Sequence, residues 1–120
     1  MMETCIFVPD SGDVRFADLI LDDKKHGETR KRTVHLPIGK WVGIARNKIV
    51  LGEVVLGTPV EIDRSSPLYD DACIAGTEYD VGDGETKWYY PILKKRDMRH
   101  DPKPVLKFSP MYGKYEKGEN

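Results

Sequence analysis

Two cysteines, three histidines, three phenylalanines and two tryptophans in 120 residues leave little room for several kinds of chemistry. Cys5 and Cys73 have no metal-ligand spacing, and free thiols in a reducing cytoplasm are the expectation. His26, His35 and His100 form no metal set. No His-Glu-x-x-His, paired Cys-x-x-Cys or histidine pair at helical spacing exists. No cofactor is called for. There is no phosphate-cradling glycine loop and no Gly-x-Ser-x-Gly elbow. Asp80-Val81-Gly82-Asp83-Gly84-Glu85 lacks full calcium-loop spacing and reads as an acidic loop. No apolar run approaches a membrane span, so no membrane partner is expected. Cys5 to Pro9 is too short, and lacks a basic leader, to read as a signal peptide. These readings place the protein in the cytoplasm.

What is present is charge, at 32% of residues, beside 39% hydrophobic residues. That balance suits one folded domain rather than a disordered chain. The formal net charge of −1 hides segregation. Residues 1–23 sum to −5, 24–49 to +7, 50–86 to −8 and 87–107 to +5. Two basic blocks adjacent in space would make a cationic patch. Acidic and basic strands pairing across a sheet would give the same pattern.

Thr4 to Val8 reads as a first strand, and Val14, Ala17, Ile20 and Leu21 as one face of a short helix capped by Asp13. Gly27 to Leu36 reads as a strand, Pro37-Ile38-Gly39 as a turn and Trp41 to Ala45 as a buried strand. Arg46-Asn47-Lys48 has hairpin character before Ile49 to Val55. Gly57-Thr58-Pro59 suggests a bulge or bend before Val60-Glu61-Ile62. Residues 63–86 are polar, with a short helix expected at Pro67 to Ala75. A connection this long is either functional or partly ordered. Lys87 to Leu93 is a strand in which Pro91 argues for an edge or a bulge, and Val105 to Phe108 is the last strand. No internal repeat is present. The expectation is α+β: a small barrel of five or six mostly antiparallel strands with one or two short helices. It would span residues 1–110, with 111–120 a flexible tail frayed from Gly113.

The segment Phe16 to Arg32 is the most informative. A helical apolar pattern runs into Lys24-Lys25-His26-Gly27-Glu28-Thr29-Arg30-Lys31-Arg32. In an extended chain Glu28, Arg30 and Arg32 share a face, opposite Thr29, Lys31 and Thr33. A carboxylate ringed by cations suits an anion or a positioned proton better than a core. Lys25 is the leading catalytic candidate, since Lys24 and Arg30 favour its neutral form while Glu28 opposes that. A charged Lys25 would instead bind phosphate or a carbonyl oxygen. Glu28 suits a general base, or an acceptor for an exocyclic amine. Arg30 and Arg32 suit phosphate. Lys40 beside Trp41 resembles a cation next to a stacking platform, although Trp41 lies in an apolar strand. Trp88 and Tyr90 share one face of their strand and suit base stacking or a core. Lys94 to His100 suits either a phosphate-tracking run or a charged exposed hairpin.

These residues carry a resemblance. The order is Ala-x-Leu-Ile-Leu, a tight turn, Lys-Lys, an acid and an arginine. A strand follows, then Gly-x-x-Val-x-Ile-Ala, Leu-Gly-Glu-Val, and a late Trp-containing strand before Pro-x-Pro. From about Phe16 to Lys107 the chain resembles the ASCH domain of the PUA-like superfamily of small β-barrels. The likeness is strongest at Ala17–Arg30 and Val42–Val55. The family pattern Gly-Lys-Lys-Thr-hydrophobic-Glu-x-Arg is matched at Lys25, Glu28 and Arg30. Asp23, His26 and Gly27 replace its Gly, Thr and hydrophobic residue.

The resemblance implies an RNA or nucleotide ligand in a cleft of the barrel. Lys24, His26, Arg30, Arg32, Lys40, Trp88 and Tyr90 are the binding residues expected there. It also implies an alternative, a small hydrolase acting on RNA or on a modified nucleoside such as acetylated cytidine. Lys25, Glu28 and Glu78 would then form the site, with Glu28 standing where those hydrolases carry a hydroxyl residue. A protein-interaction module is the third possibility.

Overall fold

A computed structural model describes residues 2–31, 36–72, 77 and 79–117. Its organising feature is a closed circuit of strand pairings. β1 (Met2–Phe7) runs parallel to β5 (Trp41–Arg46), with Cys5 opposite Gly43. β5 turns back through Asn47 into β6 (Ile49–Leu56). Asn47 has φ of 58°, a value that tight hairpins require at a turn position and asparagine tolerates. β6 pairs at Ile49 and Val50 with β9 (Lys103–Phe108). β9 pairs with β10 (Tyr112–Glu116), and β10 returns to β1. Among the described residues every strand pairing except that of β1 with β5 is antiparallel.

The remainder of β6 pairs with the upper half of β8 (Lys87–Asp97), from Gly52 opposite Asp97 to Leu56 opposite Ile92. At Gly57–Pro59 the chain jogs and continues as β7 (Val60–Ile62) along the same edge of β8. The expected bend is therefore present. Pro91 sits at this change of partner, where its carbonyl accepts from the Gly57 amide. The other edge of β8 carries β4 (Gly27–Arg30). β2 (Asp10–Ser11) and β3 (Val14–Arg15) form a separate small hairpin.

Strand alternation divides the apolar side chains into two clusters. Cys5, Ala45, Val50, Val105 and Tyr115, one from each strand of the circuit, pack together within it. On the opposite faces Ile6, Val42, Ile44, Val54 and Leu56 pack against α1 (Phe16–Leu21) and against Tyr89 and Tyr90 of β8. Phe16, Ala17, Ile20 and Leu21 are the buried residues of α1. Each large one is worth about 1.5–3 kcal/mol over exposure.

Several expectations need correction. Among the described residues ten strands form rather than five or six, because the turn after β1 closes its own hairpin and the C-terminal region adds β10. The tail expected to fray from Gly113 is a paired strand through Glu116, with Tyr115 buried at its centre. Gly113 permits this packing, since a Cβ there would stand 2.7 Å from the Cys5 sulfur. The helix starts at Phe16, two residues after Val14, and Arg15 holds its N-cap position without a side-chain cap. Asp13 lies in the β2–β3 turn instead. β8 continues past Leu93 to Asp97, because Lys94–Asp97 pair with β6. The helix expected at Pro67 to Ala75 is a single turn, α2 (Tyr69–Ala72), as far as the described residues extend. Among the described residues no helix is long and apolar enough to cross a membrane.

Candidate functional site: a cationic cleft beside β4

The route into the site is set by the end of α1. The Asp23 amide donates to the Ile20 carbonyl and the Lys24 amide to the Leu19 carbonyl, a Schellman arrangement with Asp23 at φ of 61°. Aspartate tolerates the left-handed region better than most residues. Lys95 reinforces the turn by donating to the Ile20 and Leu21 carbonyls and pairing with Asp23. The chain then reverses and sends the Lys25 side chain inward.

Lys25 is 1% exposed. Its Nζ donates to the Gly27 carbonyl at 2.5 Å and lies 5.8 Å from the Phe16 ring centroid. Glu28, 6% exposed, follows on β4. Its carboxylate accepts from its neighbour's amide, Thr29 N–H, at 3.1 Å and from Arg30 Nη2 at 3.2 Å. The same Nη2 donates to the Phe7 carbonyl at 3.0 Å, which ties β4 to the end of β1. Arg30 Nε is buried with no hydrogen-bond partner among the described residues. Register sets Glu28 opposite Tyr90 and Arg30 opposite Trp88, so these four lie on one face of the β4–β8 pair.

Lys25, Glu28 and Arg30 line a common cleft of about 390 Å³ with Val8, Pro9, Phe16, Thr29, Lys31, Tyr79 and Lys87. Phe16 and Tyr79 meet edge to face, with centroids 5.8 Å apart. Lys87 Nζ donates to the Tyr79 carbonyl and lies over the Tyr79 ring. Burial pulls the Lys87 ammonium below its usual range, nearby Asp80 opposes this, and Lys31 adds to it. The cleft thus offers an aromatic wall, a buried carboxylate and several cationic donors in a partly dry setting, where charge-assisted hydrogen bonds are strong.

The opposite side of β4 shows why position 27 is a glycine and what His26 holds. A Cβ on Gly27 would lie 2.2 Å from the Tyr89 ring, which fills the space beside it. The Tyr89 hydroxyl donates to Asp71 on α2. Asp71 also accepts from the His26 amide and meets His26 Nδ1 at 2.5 Å. Burial raises the Asp71 carboxyl, but the Tyr89 and His26 hydrogen bonds outweigh it and hold it below its ordinary value. His26 is 62% exposed and fastens β4 to α2 outside the cleft. With Lys25, Asp23, Lys94 and Lys95 it borders a smaller cavity of about 180 Å³.

Of the expected site residues, Lys25, Glu28 and Arg30 come together at the cleft. Lys24 and Lys40 are exposed and do not line it. Trp88 is half-buried against the main core, outside the cleft lining, and Tyr90 is fully buried in that core. Burial pushes the Tyr90 hydroxyl up and Arg30 opposes it. Arg32 and Glu78 lie outside the described residues. Phe16, Lys31, Tyr79 and Lys87 are lining residues that the motif did not single out. Proximity to the motif marks Lys31, whereas only the length of the polar segment 63–86 hints at Tyr79. Among the described residues no group of three or more His, Cys, Asp or Glu side chains is placed to hold a metal ion. Comparison with protein-family models, with curated proteins and with solved structures finds no match to this chain.

Proposed function

We propose that the protein is an RNA- or nucleotide-binding module of the ASCH type, built on a PUA-like barrel and using the cleft beside β4. The observation that carries this reading is the convergence of Lys25, Glu28 and Arg30 with the Phe16 and Tyr79 rings on one small cleft. Each component has a counterpart in a nucleotide. A base stacked on an aromatic ring gains about 1–3 kcal/mol. Arginine and lysine meet phosphate oxygens. A buried carboxylate accepts from exocyclic amines of bases. The buried free thiol of Cys5, pushed up to about 11 by burial, suits a reducing cytoplasm.

Equilibrium binding of short single-stranded RNA and of nucleotides tests the reading. Arg30→Lys should weaken binding with the fold intact, and Lys94→Gln should leave it unchanged. Binding lost equally in both variants, or absent in the parent protein, would reject the cleft as the site and favour a protein-interaction module.

One observation favours a second reading, a small hydrolase acting on RNA or a modified nucleoside. Lys25 and Glu28 are both nearly inaccessible yet border the same cleft. That is how an acid–base pair is kept from water. Glu28→Gln should then abolish turnover while preserving binding. An absence of product from acetylated cytidine or RNA at high enzyme concentration would dismiss this reading.

A further inference from the structure

We infer that the cleft is a mononucleotide site, taking one base and one phosphate group, and that it does not open onto a track for an RNA strand. This rests on the nucleotide-binding reading above and narrows it.

Size is the first argument. About 390 Å³ lies near the lower end of small-molecule sites, which run from roughly 300 to 1,000 Å³. Phe16 and Tyr79, at an interplanar angle of 81°, cannot both stack on one planar base. At most one of them can stack on a given base, which suits a wall for one ring system.

The donors are the second argument. Arg30 Nη2 is engaged by Glu28 and the Phe7 carbonyl, but the buried Nε has no partner among the described residues. A buried donor left in that state is costly, and an acceptor brought by a ligand relieves the cost. Lys31 is exposed at the cleft, and Lys87 flanks it from β8. A phosphate group supplies an acceptor oxygen for Arg30 Nε and negative charge beside the exposed Lys31. A neutral nucleoside supplies neither charge nor a strong acceptor at that end.

The third argument concerns what surrounds the cleft. An RNA strand needs successive phosphate contacts along a cationic groove. Three of the cations in the second basic run are held by the fold. Lys95 holds the end of α1 and Asp23, Arg96 pairs with Glu53, and Arg99 pairs with Asp18, Asp22 and Asp97.

Calorimetric titration of the full chain with ribonucleosides, their 5′-monophosphates and a short single-stranded RNA tests the inference. The monophosphate of the preferred base should bind roughly tenfold or more tightly than its nucleoside. Its salt dependence should correspond to about one phosphate, and the RNA should gain no further affinity. Lys31→Gln should bring monophosphate affinity down toward the nucleoside's, and Lys94→Gln should not. Equal affinity for nucleoside and monophosphate would overturn the phosphate subsite while leaving base binding in place. RNA binding far tighter than the monophosphate, with a steep salt slope, would overturn the single-unit site. Failure of every ligand to bind would overturn this inference together with the reading beneath it.

Discussion

The two basic segments of this chain look alike in sequence and do different work in the fold. Lys25, Arg30 and Lys31 stand at a cleft with one carboxylate, Glu28, among them. Lys95, Arg96 and Arg99 instead meet Asp23, Glu53 and an aspartate trio, Asp18, Asp22 and Asp97. Arg96 also lies over the Trp41 ring, 4.0 Å from its centroid. Aspartates on helix α1 and in its C-terminal turn supply the counter-charges for Lys95 and Arg99. Two runs of cations of similar composition thus meet different surroundings. That depends on register, which charge counting does not see.

The contrast can be broken from either side. The largest effect should come from Glu53, which is 1% exposed and accepts from Arg96, Lys117 and the Tyr115 hydroxyl. Glu53→Ala strands the Tyr115 hydroxyl and opens a cavity inside the circuit of strands. It should cost about 2–4 kcal/mol in chemical denaturation. A loss near zero would mean that the second basic segment is not structural. Gly27→Ala drives a methyl into the Tyr89 ring and should cost about 1–3 kcal/mol, with the His26 resonances shifting as the Asp71 link yields.

Arg99→Ala leaves three partly exposed aspartates facing one another. It should cost about 1 kcal/mol, because exposed pairs are screened, and should leave ligand binding intact. The same arginine sets an acid-side slope. Its hydrogen bonds to Asp97 hold that carboxyl at about 2, against an ordinary 3.8. A depressed carboxylate stabilises the fold above its unfolded value and loses that contribution as pH falls through its folded one. Stability should therefore decline between about pH 4 and 2. Circular dichroism should find this part of the decline missing in Arg99→Ala. The smallest stability change belongs to Lys31→Gln, within about 0.5 kcal/mol, although its effect on monophosphate affinity is large. A stability loss comparable with that of Arg99→Ala would erase the distinction between the two segments.

Much of this architecture could be read from residues with strong local rules. Asn47 announced the β5–β6 hairpin, Gly57-Thr58-Pro59 the jog in the long strand, and Glu28 with Arg30 a shared face. The failures have a common cause. Tyr112–Glu116 and Lys94–Asp97 are strands whose charged side chains hide their pairing, because long-range partners rather than local pattern stabilise them. Tyr90 and Trp88 were expected at the site on face alone. The face was right, but the core beneath β4 claims Tyr90. Tyr79 reaches the cleft by packing edge to face on Phe16 of α1, and Lys87 by its place at the start of β8 opposite Ile62, long-range placements that no spacing in the sequence encodes.

The central claim, that one basic segment is a ligand site and the other is structure, is tested most directly by an amide shift map of isotope-labelled protein titrated with a nucleoside 5′-monophosphate. The account predicts shifts concentrated at Lys25–Lys31, Phe16 and Lys87, with Lys94–Arg99 unmoved. Shifts centred on Lys94–Arg99 with the β4 cleft silent would contradict it.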